Sequence, residues 1–274
     1  MQFLHLRIRV SNFLSHTMNT YLRAAINAAQ AAGSLIRENF MQPLQVNAAE
    51  AHDLKLELDV RAQEVITELL LREFPNTSVL GEEGSAETAN ADGAWIVDPI
   101  DGTVNFFYGI PHFSVSIAFR RGQQIEVGVI YDPIKNELWR ATRGEPAYLN
   151  DDLIQVSKRT SVSESIISVG FSKTPAAIEL GLKSFSVLVS KARKCRMMGS
   201  AALDLAYVAS GRFDAYIEQS VNLWDIAAGW LLVESAGGQV TVKTSPLDEK
   251  KIAVIAWNGN IDVNDLESSI PKTT

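Results

Sequence analysis

Five acidic residues stand near the ends of predicted elements, and a carboxylate at the mouth of an apolar strand is costly unless a cation neutralises it. Glu82 and Glu83 form a pair between two glycines, directly after the end of a predicted strand. Asp98 and Asp101 follow a short apolar run that is typical of a buried strand, and Asp225 stands at the start of a predicted helix much later in the chain. Mg²⁺ prefers one or two protein carboxylates together with water and substrate phosphate. Together, the five residues predict a site for a hard divalent cation.

An anion-binding feature follows directly after Asp101. Gly102 and Thr103 open a short helical stretch, so their backbone N–H groups would lie at a helix N-terminus, where anions bind. Metal ions beside such a site would neutralise phosphoryl oxygens, activate a water and stabilise the leaving alkoxide, which phosphate-ester hydrolysis requires. The alternative interpretation is that Asp101 only opens a turn and that Glu82 and Glu83 lie in a solvated loop.

Hydrophobic periodicity predicts the elements that must position these residues. A helix is predicted from Met18 onward, and another from Asp59, as its N-cap, to Phe74. A buried strand at Ala94–Val97 and a hairpin with strands at Phe113–Phe119 and Ile125–Tyr131 indicate helices packed on an antiparallel sheet. The second half alternates strands and helices, which indicates an α/β layer. Its predicted elements are strands 166–169, 214–218 and 252–257 and helices 176–194, 201–210 and 224–235.

The chain is expected to have two coupled halves behind a short extension. Residues 1–17 have no continuous apolar stretch and are interpreted as an extension, with a targeting peptide as the less favoured alternative. Residues 18–150 form the N-terminal α+β half with the antiparallel sheet and most of the candidate metal ligands. Residues 151–274 form the C-terminal α/β half, which completes the site.

Composition excludes several classes of protein. The 274 residues are 46% hydrophobic and 21% charged, which is close to an average globular protein and excludes wholesale disorder. A net charge of −7 disfavours general nucleic-acid binding, and no apolar run approaches the roughly 20 residues of a membrane span. A single cysteine, Cys195, is typical of a reducing compartment, so a cytoplasmic location is expected. Its basic neighbours Lys194 and Arg196 would favour a lowered thiol pKa, but the cysteine is interpreted as a bystander to the chemistry. His112, which lies beside a predicted strand, is interpreted as a structural histidine.

Two long motifs make the chain similar to the inositol monophosphatase family. They are Trp95–Phe106, with the sequence WIVDPIDGTVNF, and Leu223–Gly229, with the sequence LWDIAAG. Gly81–Gly84 and Gly199–Ala202 resemble further segments of that family, and the resemblance extends from about Met18 to Asn258. It implies an α/β fold, a layered αβαβα sandwich of the inositol monophosphatase and sugar phosphatase type. It also implies a lithium-sensitive, Mg²⁺-dependent phosphomonoesterase that forms a homodimer.

The resemblance further implies which residues hold two or three Mg²⁺ ions. Asp98 would bridge two of the ions, and Glu83 would reach a weaker third ion through water. The implied metal ligands are carboxylates and one backbone carbonyl: Glu82, Glu83, Asp98, Asp101, Asp225 and the carbonyl of Ile100.

Catalytic and substrate-binding roles are implied in the same way. Asp59 and Thr103, together with Glu82, resemble the groups that orient and deprotonate the attacking water. The amides of Gly102 and Thr103 would hold the phosphate. The implied substrate-binding residues are Asp101, Gly102, Thr103, Ser200, Ala201, Glu218 and Asp225.

The loop before Asp59 departs from the family pattern, because Leu56 stands where the family has a threonine. Since the resemblance places this loop over the metal site, the departure predicts a weakly bound third ion. The expected partner is a small phosphorylated metabolite, rather than a nucleic acid or a membrane, and inositol 1-phosphate or a similar polyol monophosphate is favoured. Histidinol phosphate, a bisphosphate or nucleotide, and a catalytically impaired binding or regulatory role remain as alternatives.

Overall fold

Helices cover both faces of two β-sheets in the computed structural model, which describes residues 2–43, 46–50, 53–89 and 91–270. The side chains of residues 2–19, 47–50 and 53–55 lie outside that description. The helices are α1 (Gln2–Asn39), α2 (Glu57–Glu73), α3 (Thr103–Phe107), α4 (Pro175–Lys191), α5 (Ala201–Ala209), α6 (Leu223–Ser235) and α7 (Val263–Glu267).

The strands form a small hairpin and two larger sheets. The hairpin consists of β1 (Val46–Glu50) and β2 (Asp53–Leu56). The strands of the eight-stranded sheet are β3 (Ser78–Gly81), β4 (Gly84–Ala86), β5 (Ala94–Asp101), β6 (Ser114–Arg121), β7 (Gln124–Asp132), β8 (Glu137–Thr142), β9 (Tyr148–Leu149) and β10 (Asp152–Leu153). Those of the five-stranded sheet are β11 (Ile166–Val169), β12 (Lys194–Arg196), β13 (Ala215–Val221), β14 (Gln239–Thr244) and β15 (Ile252–Trp257).

Three hydrophobic clusters hold the layers together. The first lies between α1, α2 and one face of the eight-stranded sheet. The second contains α5 and α6, which pack between the two sheets. The third lies between the outer face of the five-stranded sheet and α4 and α7. The order helix, sheet, helix, sheet, helix confirms the predicted αβαβα sandwich.

Helix α1 begins at Gln2 and not after Met18, where the sequence placed its start. Its buried face is built largely from alanines and Ile36, with Leu22, Ile26 and Leu35 partly buried at its borders. Small side chains allow the helix to lie close to β6 and β7. No helix in the described ranges is long and apolar enough to cross a membrane.

Strand pairing brings two parts of the acidic site together. Strand β3 pairs with β5 in parallel, although the sheet was expected to be antiparallel, and Gly81 lies opposite Val97. The N–H of Glu82 consequently donates to the carbonyl oxygen of Val97 at 3.2 Å. The Glu82 backbone therefore lies beside the strand end from which Asp98 emerges. On its other side, β5 pairs with β6 across a bulge between Asp98 and Asp101.

Candidate active site

The turn between β5 and α3 places backbone groups around Asp98. The N–H of Ile100 donates to Asp98 Oδ1 at 3.1 Å. Gly102 has a φ of +99°, and a Cβ there would lie 3.0 Å from the carbonyl oxygen of His112. Both features require glycine at this position, because an L-residue is strained at such a φ and the space is already filled. The tight turn starts α3 at Thr103, as the sequence predicted.

Asp59 lies in the first turn of α2 and not at its N-cap, a position that Leu56 occupies. The N–H of Leu56 donates to Asp59 Oδ2 at 2.9 Å, and the hydroxyl of Thr103 lies 3.2 Å from Asp59 Oδ1. The same hydroxyl lies 2.9 Å from the carbonyl oxygen of Ile100. Burial raises the pKa of Asp59 to about 7, and the charges of Glu82 and Glu83 add to this shift. A carboxylate with a pKa near neutrality can accept a proton from a water molecule.

Asp101 is held by the start of α5. The Ser200 hydroxyl donates to Asp101 Oδ2, and the N–H of Ala202 donates to the same oxygen at 2.8 Å. Ser200 also caps α5 by accepting from the N–H of Leu203 at 3.3 Å. Burial raises the pKa of Asp101 to about 6, while the hydrogen bonds from Ser200 and Ala202 oppose the shift. The structure thereby brings the predicted Ser200 and Ala201 to the acidic site.

Asp225 approaches the same site from the first turn of α6. The N–H of Asn222 donates to Asp225 Oδ2 at 2.8 Å, and the side chains of Asp225 and Asp98 are hydrogen-bonded to each other. Burial raises the pKa of Asp98 well above its usual range, and the charges of Glu82, Asp101 and Asp225 add to this effect. Burial also raises the pKa of Asp225 to about 6. The two carboxyl groups therefore lie close together at a buried place where protons or a cation would neutralise their charge.

The chemistry of this cluster fits a hard divalent cation. Its donors are carboxylate oxygens and the carbonyl of Ile100, which are the ligand types that Mg²⁺ prefers. Buried carboxylates that raise one another's pKa values are stabilised by positive charge. Within the described ranges, however, no three acidic, histidine or cysteine side chains already surround a common point at metal-ligand spacing.

Glu218 lies at the other end of the site, on β13. Its side chain is buried, and the hydroxyl of Tyr216 donates to Glu218 Oε2. Burial raises the pKa of Glu218 to about 8, and the charges of Asp225 and Asp101 add to the shift. A Cβ at Gly170 would lie 2.0 Å from Glu218 Oε2, so a larger residue there would require this carboxyl group to move.

Three residues at the site were missed by sequence reasoning. Ala202 contributes a backbone N–H, which leaves no side-chain signal. Asn105 donates to the carbonyl oxygens of His112 and Met198, both at 2.8 Å, and so ties α3 to the segment before Ser200. Asp204 is buried on α5, where it accepts a 2.7 Å hydrogen bond from the Ser168 hydroxyl. An aspartate in the apolar run of α5 was a signal that could have identified it.

Two further expectations can be compared with the structure. Burial lowers the pKa of His112 to about 4, which agrees with a structural histidine. Burial raises the pKa of the Cys195 thiol and outweighs the charge of Arg196, which agrees with the interpretation of this cysteine as a bystander.

Leu56 does not face the acidic site as a covering-loop residue. It ends β2, its side chain is completely buried, and it belongs to the hydrophobic cluster under α1 and α2. The leucine side chain packs in the core and supplies no oxygen to the site, and the weakly bound third ion stays a prediction. The backbone N–H of Leu56, by contrast, contacts the site through Asp59.

Comparison with known proteins gives concordant matches over most of the chain. A profile of the inositol monophosphatase family matches residues 17–268. The protein named Nus factor SuhB from Pasteurella multocida is 41% identical over 227 residues, covering 81% of this chain and 85% of that protein. Inositol-1-monophosphatase from Rhizobium meliloti is 40% identical over 231 residues, covering 80% and 84%. The crystal structure of extragenic suppressor protein suhB from Bartonella henselae superposes with a TM-score of 0.84 at 35% identity, covering 93% of this chain and 100% of that one.

Proposed function

The chain belongs to the inositol monophosphatase family, and on that premise we propose that it is a Mg²⁺-dependent phosphomonoesterase acting on a small polyol monophosphate, with inositol 1-phosphate as the first candidate. The observation that carries the proposal is the meeting of Asp98, Asp101 and Asp225 at one buried place, from two distant segments of the chain. Such a concentration of negative charge is unfavourable unless protons or cations neutralise it.

The proposed site holds two or three Mg²⁺ ions, which when bound would neutralise phosphoryl oxygens and supply an activated water. Asp98 would bridge two ions, and Glu83 would contact a third through water. The ligands in this proposal are Glu82, Glu83, Asp98, Asp101, Asp225 and the carbonyl of Ile100.

The proposed reaction uses water as the nucleophile. The Thr103 hydroxyl, held by Asp59 and the Ile100 carbonyl, would orient the water, and Asp59 would accept its proton, with Glu82 assisting. The amides of Gly102 and Thr103 would bind the phosphate. Ser200 and Ala201 would position the substrate beside Asp101 and Asp225, and Glu218 would meet the hydroxyl groups of the alcohol part.

A second copy of the chain is the proposed protein partner. The segment around α3 exposes Val104, Tyr108 and Ile110. Met197 is 66% exposed and precedes Met198, whose carbonyl oxygen accepts a hydrogen bond from Asn105 of α3. Exposed apolar groups that lie close together are typical of interaction surfaces. We propose that the protein forms a homodimer and is located in the cytoplasm. We also propose that lithium inhibits its activity.

A second candidate function is a binding role without catalysis. A relative that is 41% identical carries the name Nus factor SuhB, which does not describe a phosphatase. This relative is the observation that favours a binding role for the family fold in this chain.

A panel of phosphate esters distinguishes these candidates. Purified protein is assayed for phosphate release in Mg²⁺ with inositol 1-phosphate, histidinol phosphate, a sugar bisphosphate and a nucleotide. The proposal predicts the highest kcat/KM for a phosphorylated polyol. Release from none of these esters, by a folded protein, would support the binding role.

A further inference from the structure

A buried hydrogen bond joins Tyr216 and Glu218 on β13. Because side chains alternate along a strand, both residues point to the same face of the five-stranded sheet. That face is the inner one, since Tyr216 belongs to the hydrophobic cluster between the two sheets and Ile217 to the cluster on the outer face. The hydroxyl of Tyr216 donates to Glu218 Oε2, and both side chains are buried. The tyrosine therefore fixes one of the two oxygens of this carboxyl group.

The backbone of Gly170, just after β11, lies against this pair. The N–H of Gly170 donates to the carbonyl oxygen of Ile217 at 2.9 Å. A Cβ at Gly170 would lie 2.0 Å from Glu218 Oε2 and 2.7 Å from the hydroxyl oxygen of Tyr216. The φ of Gly170 lies outside the left-handed region, so the need for a small residue comes from space and not from backbone conformation. The glycine backbone and the tyrosine hydroxyl together restrict the rotation of the carboxyl group.

Polar contacts of α5 connect this inner face with the acidic site. Ser168 on β11 lies opposite Tyr216 in the parallel register, so the two side chains are neighbours on the inner face. The hydroxyl of Ser168 donates to Asp204 Oδ2 at 2.7 Å. Asp204 lies one helical turn after Ser200, whose hydroxyl donates to Asp101 Oδ2. Helix α5 therefore contacts the acidic site at its start and the tyrosine's neighbour one turn later.

From this arrangement, and resting on the proposed function, we infer that Tyr216 is a positioning residue that makes the site specific for an alcohol part bearing hydroxyl groups. It acts through Glu218: with Oε2 fixed by the tyrosine, the carboxyl group presents Oε1 to the substrate in one orientation. A hydroxyl group can donate to this oxygen in the carboxylate form and accept from it in the acid form, whereas a hydrocarbon can do neither.

The tyrosine hydroxyl keeps the proton that it donates. Burial raises the pKa of Tyr216, and the charges of Glu218 and Asp204 add to this effect. Without the hydroxyl, the buried carboxyl group would lose this donor and would turn toward another one, because an unpaired buried polar group is costly. Turning would move Oε1 away from the alcohol part of the substrate. An ester without hydroxyl groups does not use this contact, so its hydrolysis should not depend on the tyrosine.

The test compares two matched monophosphates, inositol 1-phosphate and cyclohexyl phosphate, which share a six-membered ring but differ in its hydroxyl groups. The wild-type protein in Mg²⁺ is expected to show a kcat/KM at least about tenfold higher for inositol 1-phosphate. Tyr216→Phe should lower that value about fivefold, the effect of one hydrogen bond, and leave the value for cyclohexyl phosphate unchanged. Tyr131→Phe is the control, because this tyrosine is also buried and donates to Asn136 at 2.9 Å. It should leave both values unchanged.

Two further variants separate positioning from general damage. Because Tyr216 acts through Glu218, adding Tyr216→Phe to Glu218→Gln should lower the ratio of the two kcat/KM values no further than Glu218→Gln does alone. Gly170→Ala should lower the same ratio without removing any hydroxyl, because its methyl group requires the carboxyl group to move. Circular dichroism and the melting temperature establish that each variant is folded.

Two kinetic results would overturn the inference. One is an equal kcat/KM for both esters in the wild-type protein, and the other is an equal loss on both esters in Tyr216→Phe. If neither ester is hydrolysed, the proposed function fails, and calorimetric binding of the same two compounds still tests the tyrosine. Tighter binding of inositol 1-phosphate, lost in Tyr216→Phe, would support the inference; equal binding of the two compounds, or binding of neither, would contradict it.

Discussion

The hydroxyl of Thr103 lies 3.2 Å from Asp59 Oδ1 and so joins the start of α3 to the first turn of α2. The two residues come from separate elements, and each is fixed independently. Asp59 is held by the N–H of Leu56, and Thr103 by the carbonyl of Ile100. Because burial raises the pKa of Asp59 to about 7, the pair combines a fixed hydroxyl with a proton acceptor that titrates near neutrality.

Removing the Thr103 hydroxyl should separate this pair. Thr103→Val keeps the shape of the side chain but can neither donate to Asp59 nor orient a water. We expect kcat to fall about 100-fold, the lower range for general acid–base catalysis, with a smaller change in KM. Thr103→Ser, which restores the hydroxyl, should recover most of the rate. A Thr103→Val enzyme with wild-type kcat would contradict this role.

Asp98→Asn should abolish most of the Mg²⁺-dependent activity. The substitution removes one negative charge from the residue proposed to bridge two ions, so we expect a loss on the order of a thousandfold in turnover, roughly 4 kcal/mol. Circular dichroism and the melting temperature establish that the variant is folded. Asp265→Asn, an exposed position on α7, is the matched control and should retain full activity. Near-normal activity in a folded Asp98→Asn protein excludes the metal-bridging role.

The metal-free protein should lose stability as the pH rises. Burial raises the pKa of Asp59 from 3.8 to about 7 and those of Asp101 and Asp225 from 3.8 to about 6. The folded state therefore binds more protons than the unfolded state, and this contribution to stability is fully present below about pH 4. It is lost as the pH rises through about 6 to 7. Thermal melts in chelator between pH 5 and pH 8 should show this decrease.

Mg²⁺ should reverse that decrease, because it binds the ionised carboxylates of the folded state. The rise in melting temperature on adding Mg²⁺ should be larger at pH 8 than at pH 5. The same rise at both pH values, or no rise at pH 8, would show that the acidic cluster does not bind the ion.

Substitutions at Leu56 should change the free energy of unfolding more than they change the affinity for metal ions. Its side chain is fully buried, so both Leu56→Ala and Leu56→Thr lose packing, and Leu→Ala changes in cores cost about 2–5 kcal/mol. Threonine at the N-cap of α2 can accept a backbone hydrogen bond, which is worth about 1 kcal/mol. Urea denaturation should therefore show Leu56→Thr to be less stable than wild type and about 1 kcal/mol more stable than Leu56→Ala. Equal stability of the two variants would indicate that threonine does not cap the helix.

Deletion of residues 1–17 should leave the body of the protein intact. The family profile begins at residue 17, and the described buried face of α1 begins at Tyr21. We expect the melting temperature to change by only a few degrees and the activity to be retained. A loss of about 2 kcal/mol or more in the free energy of unfolding would show that the segment packs on the body.

Local patterns predicted the elements that bury a continuous apolar face. The predicted strands 166–169 and 252–257 coincide with β11 and β15. The predicted hairpin is observed as β6 and β7, with its turn at the predicted place. The hairpin of β1 and β2 was missed, because its sequence has little of the β-branched character that favours strands. The parallel pairing of β3 with β5 depends on contacts between segments that no local pattern records.

The candidate site likewise contains residues that the local sequence predicts and contacts that it does not predict. Asp98 and Asp101 were detectable because carboxylates at the end of an apolar strand need compensation. The N-cap of α2 was predicted to be Asp59, because aspartate is a common capping residue. The N-cap is instead Leu56, which contacts Asp59 through its backbone N–H and not through its side chain. The contact between Ser168 and Asp204 joins β11 to α5 and arises only when the two layers pack.

The proposed catalytic metal site is tested most directly by the Mg²⁺ dependence of phosphate release from inositol 1-phosphate by the purified wild-type protein. Release should rise with Mg²⁺ to a plateau and fall to background when a chelator removes the ion. Release that is unaffected by the chelator, or its absence at every Mg²⁺ concentration in a folded protein, would contradict the assignment of the acidic cluster as a catalytic metal site.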